Sequence, residues 1–534
     1  MEVKQWLFMC LAFLPGLALA EQAPSPATAP PSAPDDSKDD SRFDILEYDV
    51  AGNSVLPTLA IEEAVYPYLG EKKTVKNVEQ ARQALEKTYH DAGYLTVLVD
   101  IPEQEVKSGQ VRLKVTEATV DRLKVSGSRY YSLGWIKQHT PSLAEGSVPY
   151  FPDVQKELTA LARTPDRQVV PVLRAGKAPG TVEVDLQVKD NLPLHGSIEV
   201  NNRYSPNTTQ SRVVGSLRYD NLWQRQHSLS LTYQVAPEKL AESSVLSGTY
   251  VIPGVDGQAY ALYAVRSRSN VSALGGFTAL GKGNFYGLRW ITPLRSRDER
   301  YNHTFTLGAD YKDSFESVTG GSDTSITTPI AYTPFMGQYA GNLRWEKAAT
   351  QFDITANLHF RGSRNNDDEF ANKRHDASAN YFYVRGNVQH TQALGKWSAF
   401  VKVSGQAAGG PLISNEEFAA GGADTVRGYL EAEALGDTGM QGTLELRTPP
   451  LFKPASSGLE QIYAIGFLEG ARLTVLSPLP GQQSEFLLSS AGIGLRAQGF
   501  KGFQFSLDWA LPFKSLTFTQ ARTPRLLARL LYEF

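Results

Sequence analysis

The sequence predicts a transmembrane β-barrel of about 16 antiparallel strands over residues 191–534, preceded by two small α+β domains. Three observations predict this fold class. Apolar and polar residues alternate with a period of two over stretches of about ten residues, the length that crosses a bilayer at a tilt. Aromatic residues lie toward the ends of these stretches, as interfacial girdles do. Beyond residue 20 there is no run of about 18 apolar residues, so strands must make any membrane crossing.

Residues 1–20 have the pattern of a secretory signal peptide. Lys4 precedes an apolar run from Trp6 to Leu14, and small residues end the segment before Glu21. Cys10, the only cysteine of the chain, lies inside this segment. We therefore expect a mature chain without thiols, which excludes disulfides and thiol catalysis.

Residues 21–41 are rich in proline, alanine, serine and aspartate, which predicts a semi-extended linker. Its acidic residues invite a calcium alternative, but the glycine turn and terminal glutamate of a calcium loop are missing. A solvated tether is the preferred interpretation, and no metal site or cofactor is predicted. The net charge of −3 is spread along the chain without a long basic run, which argues against nucleic acid as a partner.

Residues 42–118 show the order strand, helix, helix, strand, strand. Strand-like residues run from Phe43 to Val50, and Thr58–Tyr66 favours a short helix. Asn77 is the predicted cap of a second helix that ends before Gly93, where a left-handed residue is favoured. Its predicted inner face consists of Val78, Ala81, Leu85 and Tyr89.

The same order recurs over residues 119–190. Leu133–Gln138 favours a short helix, and Val154, Leu158 and Leu161 share one face of a longer one. The last strand alternates strictly over Thr181–Lys189, as a half-buried strand does. Two similar domains in tandem are therefore predicted.

Regular alternation dominates the chain after Asp190. The clearest stretches place Leu229, Leu231 and Tyr233 on one face, then Phe305, Leu307 and Tyr311, then Phe352, Ile354 and Leu358, and then Phe503, Phe505 and Trp509. A soluble β-sandwich or propeller also alternates, but soluble strands average about five or six residues. Strand length, aromatic placement and the signal peptide together favour a barrel in an outer membrane.

The last predicted strand ends at Phe534, with Leu526, Leu530 and Phe534 in step on the lipid face. Through this strand we expect the barrel-assembly machinery to act on the chain, and membrane lipid to surround it. About sixteen strands enclose a lumen wide enough for water or a polypeptide. Because such a hole is harmful when open, we expect something to fill it partly.

The longest connection, residues 407–436, contains Val426, Arg427, Gly428 and Tyr429. With this motif the chain resembles the TpsB-type transporters of two-partner secretion, the haemolysin and adhesin secretion-activation family related to BamA-type barrel proteins. The resemblance implies that the two small domains are POTRA-like and periplasmic. It also implies that the connection folds back into the lumen with this motif at its tip.

The resemblance implies an acidic partner for Arg427 on the inner barrel wall. The matching stretch runs from Phe467 to Arg472, and the alternation turns Phe467 and Glu469 inward. The family commonly has Asp-Ala-Gly-Arg where this chain has Glu-Gly-Ala-Arg, which leaves the pairing geometry open. A guanidinium in a partly dry lumen needs a carboxylate, and two hydrogen bonds between them would hold the tip as a latch. The family's plug helix is not evident in residues 21–41.

The function implied is an outer-membrane pore of a Gram-negative-type bacterium that secretes, with or without activating, a partner exoprotein. POTRA domains would capture the unfolded exoprotein in the periplasm, and the barrel would conduct it. A BamA- or TamA-like insertase is the alternative, although such proteins usually carry three or more POTRA domains; a passive porin is a further one. No enzyme is predicted: Gly283 stands where a phosphate loop needs Ser or Thr, and the eight histidines lack ligand spacing.

Overall fold

The computed structural model describes residues 42–534 apart from 107, 163, 270, 275–276, 316, 320–324, 364–365, 453–458 and 500. The predicted signal peptide and linker lie outside the described residues. The described chain divides into two compact units, one ending at Pro193 and one running from Leu194 to Phe534.

The first small domain, residues 42–118, packs two helices against a three-stranded sheet. Strand β2 lies parallel to β5, and β4 lies antiparallel to β5, which gives the order β2-β5-β4. The predicted inner helix face is buried in full. The elements are β1 (Phe43–Ile45), β2 (Glu47–Ala51), α1 (Thr58–Val65), β3 (Gly70–Lys73), α2 (Val75–Asp91), β4 (Val97–Asp100) and β5 (Gln110–Glu117), with a 3-10 turn at Tyr66–Tyr68.

Two local predictions for this domain are wrong. Helix α2 begins before Asn77: Thr74 is the N-cap, and the Asn77 side chain accepts the Thr74 backbone N–H at 3.0 Å within a capping box. The strand predicted from Phe43 is also broken, because β1 pairs with β3 whereas β2 joins the main sheet. Gly93, with φ of +99°, takes the expected left-handed position after the helix.

The second small domain, residues 119–190, has the same sheet arrangement. Strand β6 lies parallel to β8, and β7 lies antiparallel to β8, in the order β6-β8-β7. The helices cover one face of this sheet around a core that includes Ile136, Leu161 and Leu186. The elements are β6 (Thr119–Ser126), α3 (Leu133–Gln138), α4 (Phe151–Leu161), β7 (Arg167–Ala175) and β8 (Thr181–Asp190), with a 3-10 turn at Pro141–Leu143.

The barrel is closed and antiparallel, and β20 and β21 both pair with β17, so that they occupy one position of the wall. The wall therefore has 16 positions, as predicted. Its strands are β9 (Leu194–Asn201), β10 (Arg212–Leu222), β11 (His227–Val235), β12 (Ser244–Pro253), β13 (Ala259–Ser267), β16 (Gly283–Leu294), β17 (Tyr301–Ser314), β20 (Ile330–Tyr332), β21 (Phe335–Arg344), β22 (Ala348–His359), β23 (Tyr381–Leu394), β24 (Trp397–Ala408), β27 (Thr438–Arg447), β28 (Leu459–Thr474), β29 (Glu485–Gly499), β30 (Phe503–Pro512) and β31 (Arg525–Glu533).

Apolar side chains point out of the barrel and polar ones point into it. Leu526 and Leu530 are 52% and 45% exposed on the outer surface, and on β27 the buried Thr443 and Glu445 alternate with Leu444 and Leu446, which are 48% and 46% exposed. This outer surface faces lipid, so strands carry the membrane crossing. Among the described residues, no helix has the length and apolar character to cross a membrane.

Strand β31 closes the barrel against β9, and the chain end extends this contact. The Phe534 backbone exchanges two hydrogen bonds of 3.0 Å with Gly196. A Cβ atom on Gly196 would lie 2.2 Å from the Phe534 ring, so the close approach requires glycine.

Long connections gather at one end of the barrel, which is the outer end in barrels of this kind. In the described residues, three of them besides the inward loop contain further elements: β14 (Val271–Leu274) and β15 (Phe277–Leu280), then β18 (Ser317–Thr319) and β19 (Ser325–Thr327), and then helix α5 (Asp367–Lys373). The last of these, residues 360–380, is called the mouth loop below. Residues 409–437, called the inward loop, correspond to the predicted connection but contain a short ribbon of β25 (Phe418–Ala420) and β26 (Ala434–Gly436).

Candidate functional site in the barrel lumen

The motif predicted from the sequence lies at the tip of the inward loop. The side chains of Val426, Arg427 and Tyr429 are almost fully enclosed, with exposures of 0%, 3% and 0%. Gly428 has φ of +99°, and a Cβ there would lie 3.2 Å from Pro512 on the barrel wall. Gly428 therefore forms a left-handed turn between Arg427 and Tyr429, a conformation that glycine adopts most readily.

Arg427 meets Glu469 on the inner face of β28. Its Nε and Nη2 atoms donate to the same Glu469 oxygen, Oε1, at 2.9 and 2.7 Å. The other oxygen, Oε2, accepts the backbone N–H of Arg427 at 2.6 Å. The contact therefore holds the tip by two side-chain hydrogen bonds and one main-chain hydrogen bond together.

Phe467 lies under the same guanidinium. The Arg427 Cζ atom sits 3.6 Å from the centre of the Phe467 ring, a stacked cation–π contact. Phe467 and Glu469 both face inward, while Leu468 between them is 57% exposed on the lipid side. The structure thus brings together every site residue named from the sequence.

Two further carboxylates complete the surroundings of Arg427. Glu445 on β27 accepts from Nη2 at 2.8 Å, and Asp508 on β30 lies 3.6 Å from Nη1. Each of these also holds a second arginine at 2.8 Å, Arg447 for Glu445 and Arg496 for Asp508. Sequence reasoning missed both carboxylates, although both occupy inward positions of strands whose alternation is clear.

Tyr429 anchors the other side of the tip. Its hydroxyl oxygen lies 2.9 Å from the carbonyl oxygen of Lys514 and 3.2 Å from that of Ser489. The ring packs with Val426 in an apolar cluster that includes Leu473 and Leu488 of the wall. Arg427 and Tyr429 therefore hold the tip by two chemically different contacts.

The start of the tip is also held. The Asp424 carboxylate accepts from Arg203 at 3.1 Å, and the Asp424 carbonyl accepts from Lys402 at 2.8 Å. Lys402 is an inward residue of β24, and Arg203 lies two residues after the end of β9. The tip thus contacts the wall on several sides of the lumen, which leaves the loop inside the barrel.

The root of the inward loop is fixed by Glu416. This side chain, 2% exposed, accepts from Lys312 at 2.6 Å and from Tyr383 at 2.7 Å, and also from the Tyr332 hydroxyl. Nothing in the sequence identified Glu416, since its partners lie on strands far away along the chain.

Comparisons with known proteins identify the group to which the chain belongs. The family of the haemolysin secretion/activation protein ShlB/FhaC/HecB matches residues 180–497, more than half of the chain. The chain belongs to this family. The POTRA domain of ShlB type matches residues 43–118. The resemblance to TpsB-type transporters is thereby confirmed, and with it an outer-membrane barrel whose POTRA domain lies in the periplasm.

Curated relatives share low identity with this chain. The heme/hemopexin transporter protein HuxB of Haemophilus influenzae is 21% identical over 397 residues, covering 70% of this chain and 66% of HuxB. The outer membrane transporter CdiB of Dickeya dadantii is 23% identical over 156 residues, covering 29% of this chain and 27% of CdiB. The chain therefore matches less than two thirds of the length of either relative.

Solved structures share the fold. CdiB from Escherichia coli superimposes with a TM-score of 0.63 at 17% identity, covering 96% of this chain and 93% of that one. BamA from Haemophilus ducreyi lacking POTRA domains 1–3 gives a TM-score of 0.56 at 15% identity, with 92% and 100% covered. At these identities the likeness establishes the architecture alone.

Proposed function

We propose that this protein is the outer-membrane pore of a two-partner secretion system, which conducts an unfolded exoprotein from the periplasm to the cell surface. The observation that carries the proposal is the inward loop of a haemolysin-secretion family barrel, held in the lumen by Arg427 against Glu469. A loop placed there occupies the path that a polypeptide would take. At rest the loop closes this path. Its contacts with the wall are mainly polar and can be replaced by contacts with water, so the loop can move and open the path.

The two small domains would capture the exoprotein before it enters the barrel. The edge strands of the two described sheets are β2 and β4 in the first domain and β6 and β7 in the second. Backbone groups of Val97 and Val99 on β4 already bond to side chains of helix α2, and those of Val120 and Leu123 on β6 bond to residues 145–147, so β2 and β7 are the better candidates for pairing. An extended chain can pair with such an edge through main-chain hydrogen bonds, which demand no particular side chains. This mode suits a substrate that has not yet folded. The proposal includes POTRA character for residues 119–190 as well as for residues 43–118.

The transport step in this proposal involves no catalysis. Folding of the exoprotein outside the cell would bias its transit, and the barrel would supply only a path and a gate. Further proposed partners are the surrounding membrane lipid, which faces the apolar outer surface, and the barrel-assembly machinery, which would act through the strand ending at Phe534.

Insertion of other barrels into the membrane is the second candidate function, since the BamA barrel is similar in fold. The two candidates differ in which proteins disappear when the chain is lost. A deletion strain is compared with its parent by mass spectrometry of the culture medium and of the outer membrane. The proposed function predicts that one or a few large exoproteins vanish from the medium while the outer-membrane proteins remain. A general loss of outer-membrane proteins, with the medium unchanged, would contradict secretion and favour insertion.

A further inference from the structure

The inward loop is fastened at its root by a second ion pair, which the family resemblance did not imply. Arg374 of the mouth loop donates to both oxygens of Asp437, at 2.6 and 2.7 Å, and to Glu417. Asp437 is the last residue of the inward loop, and Glu417 lies in the part of the loop that precedes the tip. We call Arg374, Glu417 and Asp437 the root clamp.

The root clamp joins three outer connections at one carboxylate. Besides Arg374, the Asp437 oxygens accept the backbone N–H groups of Leu412 and Leu476, each at 2.6 Å. Arg374 in turn donates to the carbonyl oxygens of the same two residues, at 2.6 and 2.9 Å. Leu412 lies in the inward loop, and Leu476 follows β28. Moving the root would therefore disturb the mouth loop and the connection after β28 together.

The clamp lies beside an apolar cluster in the outer mouth. Phe370 of helix α5 is 1% exposed and contacts the rings of Tyr332, His359 and Tyr381. Ile413 of the inward loop packs in the same cluster. Apolar packing thus holds the mouth loop in the barrel mouth. Arg374 extends from this packed loop to the root of the inward loop.

The tip and the root differ in what remains when each contact breaks. If Arg427 leaves the wall, Glu445 keeps Arg447 and Asp508 keeps Arg496, so two of the three carboxylates retain a cation. At the root, Asp437 is 0% exposed, and Arg374 is its ion-pair partner within the described part of the chain.

Separating Arg374 from Asp437 would leave a buried carboxylate without a countercharge, which is strongly unfavourable. Release of the tip thus leaves one carboxylate, Glu469, without its cation, whereas movement of the root removes the cation of Asp437 and also breaks its hydrogen bond from the backbone N–H of Leu476 in another connection.

We propose that Arg374 is a positioning residue that fixes the root of the inward loop, so that the loop opens by swinging its tip about an immobile root. The inference rests on the proposed function, because it assigns a motion to the gate of that pore. The tip is the part that leaves the wall, and the mouth loop stays seated.

Engineered disulfides test which end moves, because the mature chain is predicted to carry no other thiol. A Cβ on Gly436 would lie 3.0 Å from the Leu473 Cβ, so Gly436→Cys with Leu473→Cys locks the root to the wall. A Cβ on Gly428 would lie 3.5 Å from the Pro512 Cβ, so Gly428→Cys with Pro512→Cys locks the tip. Both separations are at or near the usual range for disulfides. Each variant is compared with itself, oxidised and reduced, because Gly428→Cys is strained at φ of +99° and is expected to lower secretion in both states, whereas the effect of the disulfide appears only on oxidation.

Secretion is measured for the exoprotein that the deletion strain fails to release. The root-locked chain is expected to secrete equally when oxidised and when reduced, whereas the tip-locked chain loses secretion on oxidation and regains it on reduction. Loss of secretion on oxidation of the root lock would overturn the proposal, and so would continued secretion by the oxidised tip lock. If the unmodified chain releases no exoprotein, the proposed function fails, and the labelling experiment below still decides the role of Arg374.

A labelling experiment isolates Arg374 in the full-length chain in outer membranes. Ile413→Cys places a single thiol at a root position that is 1% exposed. Adding Arg374→Gln is expected to raise its reaction rate with a membrane-impermeant maleimide at least about tenfold, because charged hydrogen bonds at the root are lost. Arg361→Gln, at an exposed mouth-loop arginine paired with Asp367, is the matched control and leaves the rate unchanged. Equal rates in both backgrounds would overturn the assignment.

Discussion

Arg427→Ala tests the tip contact in the most direct way, because it removes the guanidinium and leaves the backbone. The change deletes two hydrogen bonds to Glu469, one to Glu445 and the stack on Phe467. Glu469, which is 7% exposed, stays behind with the Arg427 backbone N–H as a remaining donor. We therefore expect the tip to dissociate from the wall far more often than in the unmodified chain.

The size of the effect follows from the burial of Glu469. Removing one partner of a buried ion pair costs about 3–5 kcal/mol, since the remaining charge is uncompensated. At about 1.4 kcal/mol per power of ten, the equilibrium between bound and released tip shifts by about two to three and a half powers of ten. A solvent-exposed ion pair contributes only about 0–1 kcal/mol.

Tip release is measured as the labelling rate of a single thiol at Val426→Cys, a position with 0% exposure. Arg472→Ala is the matched control: it lies on the same strand as Glu469, but its pair with Glu485 is exposed. The control should change the labelling rate by less than about fivefold. If Arg427→Ala labels no faster than the Arg472→Ala control, the reasoning from buried charge to tip release is wrong.

Three further predictions concern single contacts. Tyr429→Phe removes the hydroxyl that lies near the carbonyl oxygens of Ser489 and Lys514. The lost contacts are worth about 1–2 kcal/mol, so the labelling rate at the tip should rise by about one power of ten, less than with Arg427→Ala. A rise equal to or larger than that of Arg427→Ala would contradict this ranking of the two contacts. Gly93→Ala places a Cβ 2.8 Å from Pro152 at φ of +99°, so the free energy of unfolding of the small domains should fall by about 1–3 kcal/mol. Pulse proteolysis of the full chain measures this loss, and unchanged resistance would refute the steric argument. Asp190→Asn should lower stability at neutral pH by about 1–2 kcal/mol. Burial alone would raise the pKa of Asp190, but hydrogen bonds from Tyr130 N–H, the Ser128 hydroxyl and Arg129 N–H lower it. A lowered pKa stabilises above the unfolded value of about 3.9 and loses that effect as the pH falls through the folded pKa, so wild type and variant should converge in acid and stay apart at neutral pH.

The barrel could be predicted from the sequence because lipid and water lie on opposite sides of each strand. Leu468 and Glu469 are neighbours in β28, yet Leu468 is 57% exposed on the lipid side and Glu469 is 7% exposed in the lumen. The alternation of the strand alone predicts which of them faces inward. The same rule would have found Glu445, which lies between the lipid-facing Leu444 and Leu446. The Arg427 partner came from the family resemblance and the parity together.

The root clamp could not be predicted in this way. Arg374, Asp437 and Leu476 belong to three separate connections, and connections carry no period that fixes the direction of a side chain. Their meeting depends on the order of strands around the barrel, which brings distant parts of the chain together at its mouth. The predicted start of helix α2 is wrong for a local reason. Thr74 and Asn77 are both good capping residues, and only their reciprocal hydrogen bonding shows that Thr74 is the cap.

Passage of a polypeptide through the lumen can be measured directly at two neighbouring residues of β23. Gln389 faces inward opposite Lys402, whose amine contacts the tip, whereas Val388 is 47% exposed on the lipid side. A photo-crosslinking amino acid is placed at either position, and the exoprotein is arrested in transit by a stably folded C-terminal fusion. Conduction through the lumen predicts crosslinks to the exoprotein from position 389 and none from position 388. Crosslinks from position 388 alone, or from neither position while secretion is blocked by the fusion, would contradict conduction through this barrel.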